Sequence, residues 1–245
     1  MAAFLEVEGL SKHFGGLQAV KDLSFTVTEG EIVALIGPNG AGKTTAFALI
    51  SGFLQPDAGQ IRFRGRSIVG RAPHQVCALG IARTFQIVRP FPGLTVLQNV
   101  MVGALLRHAD VPTATARAEA VLDEVGLTAK RAQPASGLTL AERKRLELAR
   151  ALATEPTFLL LDEVMAGLNA TETERFVELI RTINRGGITV LLIEHVMRAV
   201  MTVSRRVVVL NGGQLIAEGP PARVANDPAV IEAYLGEEYV GAAED

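Results

Sequence analysis

Residues 37–45 read Gly37-Pro38-Asn39-Gly40-Ala41-Gly42-Lys43-Thr44-Thr45. The stretch matches G-x-x-x-x-G-K-[ST], which is the pattern of a phosphate-binding loop. The apolar run from Ile32 to Ile36 comes just before it and indicates a buried parallel strand, and residues 46–50 after it predict the first turns of a helix. The strand, loop and helix that the pattern requires are therefore present in the right order.

The residue types in this loop suit a bound phosphate group. Three glycines let the backbone curl so that successive N–H groups point at an anion, and the N-terminus of the helix adds a partial positive charge. Lys43 is expected to reach the β- and γ-phosphates of a nucleotide, and the Thr44 hydroxyl to bind Mg²⁺. The alternative is an ordinary glycine-rich turn, which the full pattern in this context disfavours.

Composition limits the class of protein. A length of 245 residues, 49% of them hydrophobic, suits one large domain or one domain with a subdomain. The net charge of −2 does not indicate nucleic-acid binding, and the single cysteine, Cys77, excludes an internal disulfide and fits a reducing cytoplasm. The sequence has neither a long unbroken apolar run nor a signal-peptide pattern at its start, so we expect no membrane span and no signal peptide.

Strand patterns dominate the first part of the chain. Alternating apolar and polar residues predict strands over 4–10 and 23–27, with a turn at 13–16 that carries one aromatic ring. Further on, the patterns predict a turn over 55–59, a strand over 61–64, a helix near 73–79 and a strand over 81–85 that ends on Gln86.

Helical patterns replace the strands after Arg89. The breaker-rich residues 89–93 precede expected helices that begin at Thr95 and, after a loop over 110–113, span 114–125. Later residues predict strands over 157–161 and 188–193, a helix over 171–184, a hairpin of 206–210 with 214–218, and a helical tail from 227. This alternation predicts an α/β sheet, with the helical insert as a second lobe.

Two carboxylates follow an apolar strand in the second half of the chain. The strand ends at Leu161 and leads directly into Asp162 and Glu163. Ligands of open α/β sheets bind at this end of the strands, so Asp162 is placed to hold Mg²⁺, directly or through water. Glu163 is placed to polarise the water that attacks the γ-phosphate. The alternative is a solvated pair of acids, which is common when no phosphate loop accompanies it.

Gln86 and His195 also follow apolar strands. Each residue alone would suit a structural role, but parallel strands of one sheet end on the same side as Asp162, which makes both candidates for catalysis. Phe14 is a candidate for stacking on a nucleotide base, with a core or edge aromatic as the alternative.

A capped helix begins at Thr139. Thr139 and Glu142 have the S/T-x-x-E spacing of a capping box, and such a helix N-terminus can also receive a phosphate. Residues 143–145 are all basic, against the preference for acids in the first turns, which hints at an anionic partner. The alternative is a plain capped helix with a solvated basic face.

Taken in order, these motifs resemble those of the ABC-type ATPase family over nearly the whole chain. Residues 37–45 resemble its Walker A, Gln86 its Q-loop, residues 159–163 its Walker B with Glu163 as the catalytic glutamate, residues 166–169 its D-loop, and His195 its H-loop. Phe14 stands where the family has its base-stacking aromatic residue. The resemblance implies ATP as substrate, with Mg²⁺ held by Thr44, Gln86 and Asp162.

The resemblance also implies a P-loop NTPase (RecA-like) core with an antiparallel β subdomain and an inserted α-helical signature subdomain. The core would comprise 1–88 and 155–220, the helical subdomain 89–154 and a C-terminal extension 221–245. The signature departs from the family pattern, because Leu-Ser-Gly-Gly-Gln is replaced by Leu138-Thr139-Leu140-Ala141-Glu142, and Asn169 replaces the commoner aspartate of the D-loop. In the family two such subunits meet head to tail, so Thr139 would contact the ATP of the partner subunit.

Within the family, several stretches look most like the ATPase subunits of branched-chain amino acid importers. These stretches are 14–17, 80–86, 166–169, 226–228 and 233–237. This implies permeases, a second ATPase, identical or paralogous, and indirectly an extracytoplasmic binding protein as partners, no nucleic acid, and a peripheral location at the cytoplasmic face of the membrane. Subunits for urea or amide import or lipopolysaccharide export share several of these stretches. A soluble P-loop phosphotransferase and a non-transport ABC protein are two further hypotheses.

Overall fold

The computed structural model describes residues 3–87 and 89–241. The described residues fall into two units, one of 3–73 with 189–241 and one of 74–87 with 89–188. The strands are β1 (Leu5–Phe14), β2 (Leu17–Val27), β3 (Ile32–Ile36), β4 (Ala58–Phe63), β5 (Arg66–Ser67), β6 (Ile81–Arg83), β7 (Phe158–Asp162), β8 (Thr189–Ile193), β9 (Arg206–Asn211) and β10 (Gln214–Gly219). The helices are α1 (Lys43–Ile50), α2 (Pro73–Ala78), α3 (Val96–Ala104), α4 (Val111–Glu124), α5 (Leu140–Leu152), α6 (Ala170–Arg185), α7 (Met197–Val203), α8 (Pro221–Val224) and α9 (Pro228–Gly241).

The first unit contains an antiparallel sheet with the strand order β2-β1-β4-β5. Strands β1 and β2 stay paired as far as Phe14 and Leu17, so His13 and Phe14 belong to β1. Only Gly15 and Gly16 form the turn of this hairpin. The expected turn over 13–16 is therefore wrong in its first two residues, because the pairing of the strands continues beyond the apolar alternation that signals them.

Parallel strands of the first unit carry the loop of residues 37–45. Strand β3 pairs in parallel with β8 on one side and with β9 on the other, and antiparallel β10 lies beside β9. All five residues of β3 are buried, as its continuous apolar run predicts. The pairs Leu35↔Ile193 and Ile36↔Val209 bring the carboxyl ends of the three parallel strands to one edge of the sheet.

The second unit combines two parallel strands with the helical insert. Strands β6 and β7 are paired from Ile81↔Phe158 to Arg83↔Leu160. Helices α3 and α5 approach closely at Gly103, where a Cβ would overlap the carbonyl oxygen of Arg150. A glycine is therefore required for this helix crossing.

Side-chain caps set the starts of the longer helices in the second unit. Thr95, Thr139 and Asn169 each form a capping box at the start of α3, α5 and α6, and the boxes at Thr95 and Thr139 lie where helices were expected to begin. Helix α4 begins at Val111 and not at residue 114, because Asp110 accepts the Thr113 N–H and acts as its cap. The sequence patterns do not predict α7 and α8, which are too short to show a helical period.

Among the described residues, no helix has both the length and the apolar composition needed to cross a bilayer.

Candidate functional site

The loop of residues 37–45 has a backbone shape that only glycine permits at two positions. Gly37 and Gly42 have φ values of 148° and 97°. A Cβ at Gly37 would overlap the carbonyl oxygen of Leu210, and one at Gly42 would overlap that of Ala19. Strands β2 and β9 therefore press directly on the backbone of the loop and hold its shape.

Lys43 folds back over this loop. Its side chain is only 6% exposed, and its Nζ donates to the carbonyl oxygens of Gly37 at 2.6 Å and Pro38 at 2.7 Å. The loop is closed further by the bond from the Ala41 N–H to the Pro38 oxygen, at 3.2 Å. The ammonium is therefore held within the loop, at the place where the loop pattern puts a phosphate.

The N-terminus of α1 is suited to an anion. Its cap is Gly42, which has no side chain, and the first turn, Lys43 to Ala46, contains no acidic residue. No acidic side chain in that turn therefore compensates the backbone N–H groups or the positive end of the helix dipole. Thr44 is exposed at this end of the helix, with its hydroxyl available as an oxygen ligand.

His195 lies at the same sheet edge as the loop. It is exposed and follows β8, which ends beside β3 at the pair Leu35↔Ile193. The first unit thus places His195 at the carboxyl ends of its parallel strands, where the loop of residues 37–45 also begins.

Phe14 stands at the end of β1 with 46% of its surface exposed. Lys12 Nζ lies 5.9 Å from the centre of its ring. Asp57 anchors this end of the strand, because it accepts hydrogen bonds from Lys12 Nζ at 2.7 Å and from the His13 N–H at 2.6 Å. The hydrogen bond from Lys12, followed by the one from the His13 backbone, lowers the pKa of Asp57 to about 2. An exposed ring on an anchored strand end suits stacking on a flat ligand.

Asp162 is the last residue of β7 in the second unit. It is 1% exposed, and its Oδ2 accepts a hydrogen bond from Arg83 Nη2 at 2.8 Å. Its backbone N–H donates to the Thr84 hydroxyl at 3.1 Å. A buried charge needs such a partner, so the carboxylate is held in place by an ion pair with the neighbouring strand.

Glu163 has an unusual backbone. Its φ of 49° lies in the left-handed region, which costs a residue with a side chain on the order of 1–3 kcal/mol. Gln86 Nε2 donates to its Oε2 at 2.6 Å, and Lys144 Nζ donates to its carbonyl oxygen at 2.8 Å. Such backbone strain is concentrated at functional sites, where the surroundings enforce it.

Thr139 caps α5 as predicted. Its hydroxyl accepts the Glu142 N–H at 3.3 Å, while the Glu142 carboxylate accepts the Thr139 N–H at 2.9 Å. The latter hydrogen bond is the main cause of the lowered pKa of Glu142. Thr139 and Leu140 are exposed, so this helix end is accessible to a ligand.

Lys144 is not part of a solvated basic face over residues 143–145, which was the alternative interpretation of this helix. Arg143 Nε donates to the Leu138 carbonyl oxygen at 3.0 Å. Lys144 instead is 5% exposed and shares a buried helix face with Leu148. Its position four residues before Leu148 is the sequence signal that would have identified it, because residues spaced by four lie on one face of a helix.

Each of the two units supplies oxygen donors of a kind that suits a hard cation. Thr44 in the first unit supplies a hydroxyl, and Asp162 and Gln86 in the second supply a carboxylate and an amide oxygen, which are ligand types that Mg²⁺ accepts. The described residues contain no group of three or more His, Cys, Asp or Glu side chains arranged to hold a metal. Mg²⁺ keeps several waters and binds substrate phosphates, so it needs no such group.

A phosphate loop between a parallel strand and a helix, with an acid pair after a second buried strand, defines the class of P-loop nucleoside triphosphatases. A family model described as ABC transporter matches residues 20–166, and one described as branched-chain amino acid ATP-binding cassette transporter matches residues 214–240. The chain belongs to the ABC transporter ATP-binding family.

Curated relatives match almost end to end. The high-affinity branched-chain amino acid transport ATP-binding protein LivG of Salmonella typhimurium is 42% identical, over 95% of this chain and 98% of its own length. BraF of Pseudomonas aeruginosa, with the same description, is 42% identical over the same shares. A crystal structure of a nucleotide-free ATP-binding cassette from an ABC transporter matches with a TM-score of 0.88 at 30% identity, over 95% of this chain and 99% of that one. A cassette in its ADP conformation also matches, with a TM-score of 0.88 at 30% identity, over 96% of this chain and 100% of that one. The fold class expected from the sequence is confirmed.

Proposed function

We propose that this protein is the ATP-hydrolysing subunit of an importer for branched-chain amino acids. The observation that carries the proposal is the end-to-end similarity to LivG and BraF, which are described as ATP-binding proteins of branched-chain amino acid transport. The match of residues 214–240 to a model of such transporters supports the same cargo.

In this proposal residues 37–45 bind the phosphates of ATP and Phe14 stacks on its base. The positive φ values of the loop glycines turn backbone N–H groups toward the phosphates. Lys43 exchanges its two carbonyl partners for the β- and γ-phosphates, which are stronger acceptors because they are charged.

Glu163, His195 and Gln86 are the proposed catalytic residues. Glu163 accepts a hydrogen bond from the attacking water and polarises it, and His195 contacts the γ-phosphate. Gln86, whose side-chain amide donates a hydrogen bond to the Glu163 carboxylate, senses the γ-phosphate. Thr44, Asp162 and Gln86 would hold Mg²⁺, which when bound neutralises charge that develops on the phosphates.

The motifs also define the proposed subdomains of the chain. Residues 1–88 and 155–220 form the ATP-binding core, residues 89–154 the helical subdomain, and residues 221–245 a C-terminal extension. Gln86 adjoins the helical subdomain in sequence, so γ-phosphate binding moves that subdomain against a permease.

The protein acts within an assembly at the cytoplasmic face of the membrane. Its partners are permease subunits, a second ATPase subunit and, indirectly, an extracytoplasmic binding protein. The exposed Thr139 and the N–H groups of Leu140 and Ala141 contact the ATP of the second ATPase. The atypical signature around Thr139 suits the weaker site of an asymmetric pair.

The test is uptake by proteoliposomes that contain the chain with its permeases, ATP inside and the binding protein outside. We expect ATP-dependent uptake of leucine, isoleucine and valine. Glu163→Gln should reduce it by about 10²–10⁴-fold, because the general base is lost, while ATP still binds. Uptake of urea or amides instead would overturn the cargo, and phosphate transfer to an acceptor other than water would overturn the function.

A further inference from the structure

Lys144 is a buried cation outside the proposed catalytic and nucleotide-binding residues. It lies in α5, five residues after the Thr139 cap, and is 5% exposed. Its Nζ donates to the backbone carbonyl oxygen of Glu163 at 2.8 Å. Burial of an ammonium is unfavourable unless it is hydrogen-bonded, and bonds from a charged donor are the stronger ones.

The carbonyl that Lys144 holds belongs to a backbone in an unfavourable conformation. Glu163 is one of four described non-glycine residues with positive φ. Its carbonyl oxygen also accepts the N–H of Ala166, at a longer 3.3 Å. This carbonyl is bonded to the Cα of Glu163, so a donor that holds the carbonyl restrains the ψ angle there and with it the direction in which the Cα–Cβ bond leaves the backbone.

Leu140 adds a second contact from the same helix face. It precedes Lys144 by four residues, which places both side chains on one side of α5. Its Cδ2 lies 3.1 Å from where a Cβ of Gly167 would be. Helix α5 therefore contacts both ends of the turn from Glu163 to Gly167.

We propose that Lys144 is a positioning residue for Glu163, holding its backbone so that the carboxylate meets the attacking water. The proposal rests on the catalytic role proposed for Glu163. It predicts that loss of the ammonium lowers the rate of hydrolysis and leaves ATP binding intact, because none of the residues proposed to bind ATP within the same chain is altered.

The test uses the assembled transporter and three single variants. Lys144→Met keeps the apolar stem and removes the donor. Lys144→Arg keeps a charged donor, and Arg145→Met removes a neighbouring cation of the same helix as the control. We expect Lys144→Met to lower kcat by about ten- to a hundred-fold, as small displacements of catalytic groups do, with an unchanged Kd for ATP. Lys144→Arg should retain more activity than Lys144→Met, and Arg145→Met should match the wild type.

A double-mutant cycle separates positioning from stability. In the Glu163→Gln background Lys144→Met should have no further effect on the residual rate, because the group it positions is already gone. An equal loss in both backgrounds, a wild-type kcat, or a Kd that rises by the same factor would overturn the proposal. If Lys144→Met does not fold, Lys144→Gln, with a shorter neutral donor, is carried through the same cycle. If Glu163→Gln hydrolysed ATP at the wild-type rate, the proposed role of Glu163 itself would be overturned. Failure of the Lys144 proposal is therefore distinguishable from failure of the role proposed for Glu163.

Discussion

The amide nitrogen of Gln86 lies 2.6 Å from the Oε2 of Glu163, so the proposed γ-phosphate sensor and the proposed general base are hydrogen-bonded to each other. Because Gln86 contacts the proposed base and is proposed to sense the γ-phosphate, it can couple γ-phosphate binding to activation of the attacking water.

The first prediction replaces this donor by an acid. Gln86→Glu replaces the donor by a second carboxylate at hydrogen-bond distance, and the repulsion between like charges displaces the Glu163 side chain. Hydrolysis by the assembled transporter should therefore fall further than in Gln86→Ala, which removes the donor without adding a charge. Steady-state kinetics of the two variants measures this; an equal loss in both would contradict the prediction.

The second prediction concerns ATP binding. Lys43→Ala removes the cation that the loop holds at its centre, so both ATP affinity and hydrolysis should collapse. Equilibrium titration with ATP measures the affinity. Lys21→Ala, which removes an exposed lysine of β2 in the same unit, is the matched control. Unchanged affinity in Lys43→Ala would remove residues 37–45 as the ATP site.

The third prediction concerns His195. If His195 donates to the γ-phosphate in the transition state, His195→Ala should lower kcat by about 10²-fold, as loss of one such donor does elsewhere, with a smaller change in ATP affinity. Steady-state kinetics together with ATP titration separate the two effects. His74→Ala changes an exposed histidine of α2 and should leave both values unchanged. A loss confined to affinity would assign His195 to binding alone.

The fourth prediction tests the shared site. Thr139→Arg puts a long cation at the exposed start of α5, where it blocks the ATP of the partner subunit. The assembled transporter should lose hydrolysis, while the isolated chain should bind ATP as before. Thr128→Arg places the same side chain at another exposed position of the unit and is the control. Full hydrolysis by a strictly monomeric Thr139→Arg sample would exclude a site shared between subunits.

The fifth prediction concerns the buried ion pair of Arg83 and Asp162. Arg83→Leu removes the cation that pairs with the Asp162 carboxylate, which is 1% exposed. Loss of one partner of a buried pair lowers the free energy of unfolding by about 3–5 kcal/mol. Chemical denaturation measures this. The double variant Arg83→Leu with Asp162→Asn should recover part of the loss; no recovery would show that the pair is not what stabilises this region.

The parts of the site that depend on local patterns could be predicted from the sequence. The loop of residues 37–45 and the cap at Thr139 each occupy a few consecutive residues whose types and spacing are sufficient to identify them. The carboxylates of Asp162 and Glu163 are recognisable because an apolar strand leads directly into them. The roles assigned to these residues remain predictions.

Contacts between distant segments could not be predicted in the same way. The ion pair of Arg83 with Asp162 and the bond from Lys144 to Glu163 join residues 79 and 19 positions apart. A basic residue in a sequence looks equally suited to solvent or to a buried partner. The spacing of Lys144 from Leu148 indicates a shared helix face, but only the packing of α5 shows which carbonyl oxygen the ammonium meets. A charged residue inside the strand predicted over 81–85 is the available signal for Arg83, because a buried charge requires a partner.

The contact of Gly37 with Leu210 has a consequence for the order in which the protein acquires its activity during synthesis. The loop is complete as a sequence once Thr45 has been translated, but β9, which packs against it, begins only at Arg206. The Ala41 carbonyl likewise cannot accept the N–H of Gly213 before that residue is made. A nascent chain on the ribosome therefore carries the whole ATP-binding motif before the strand that supports the loop, and competence for the nucleotide follows the emergence of β9.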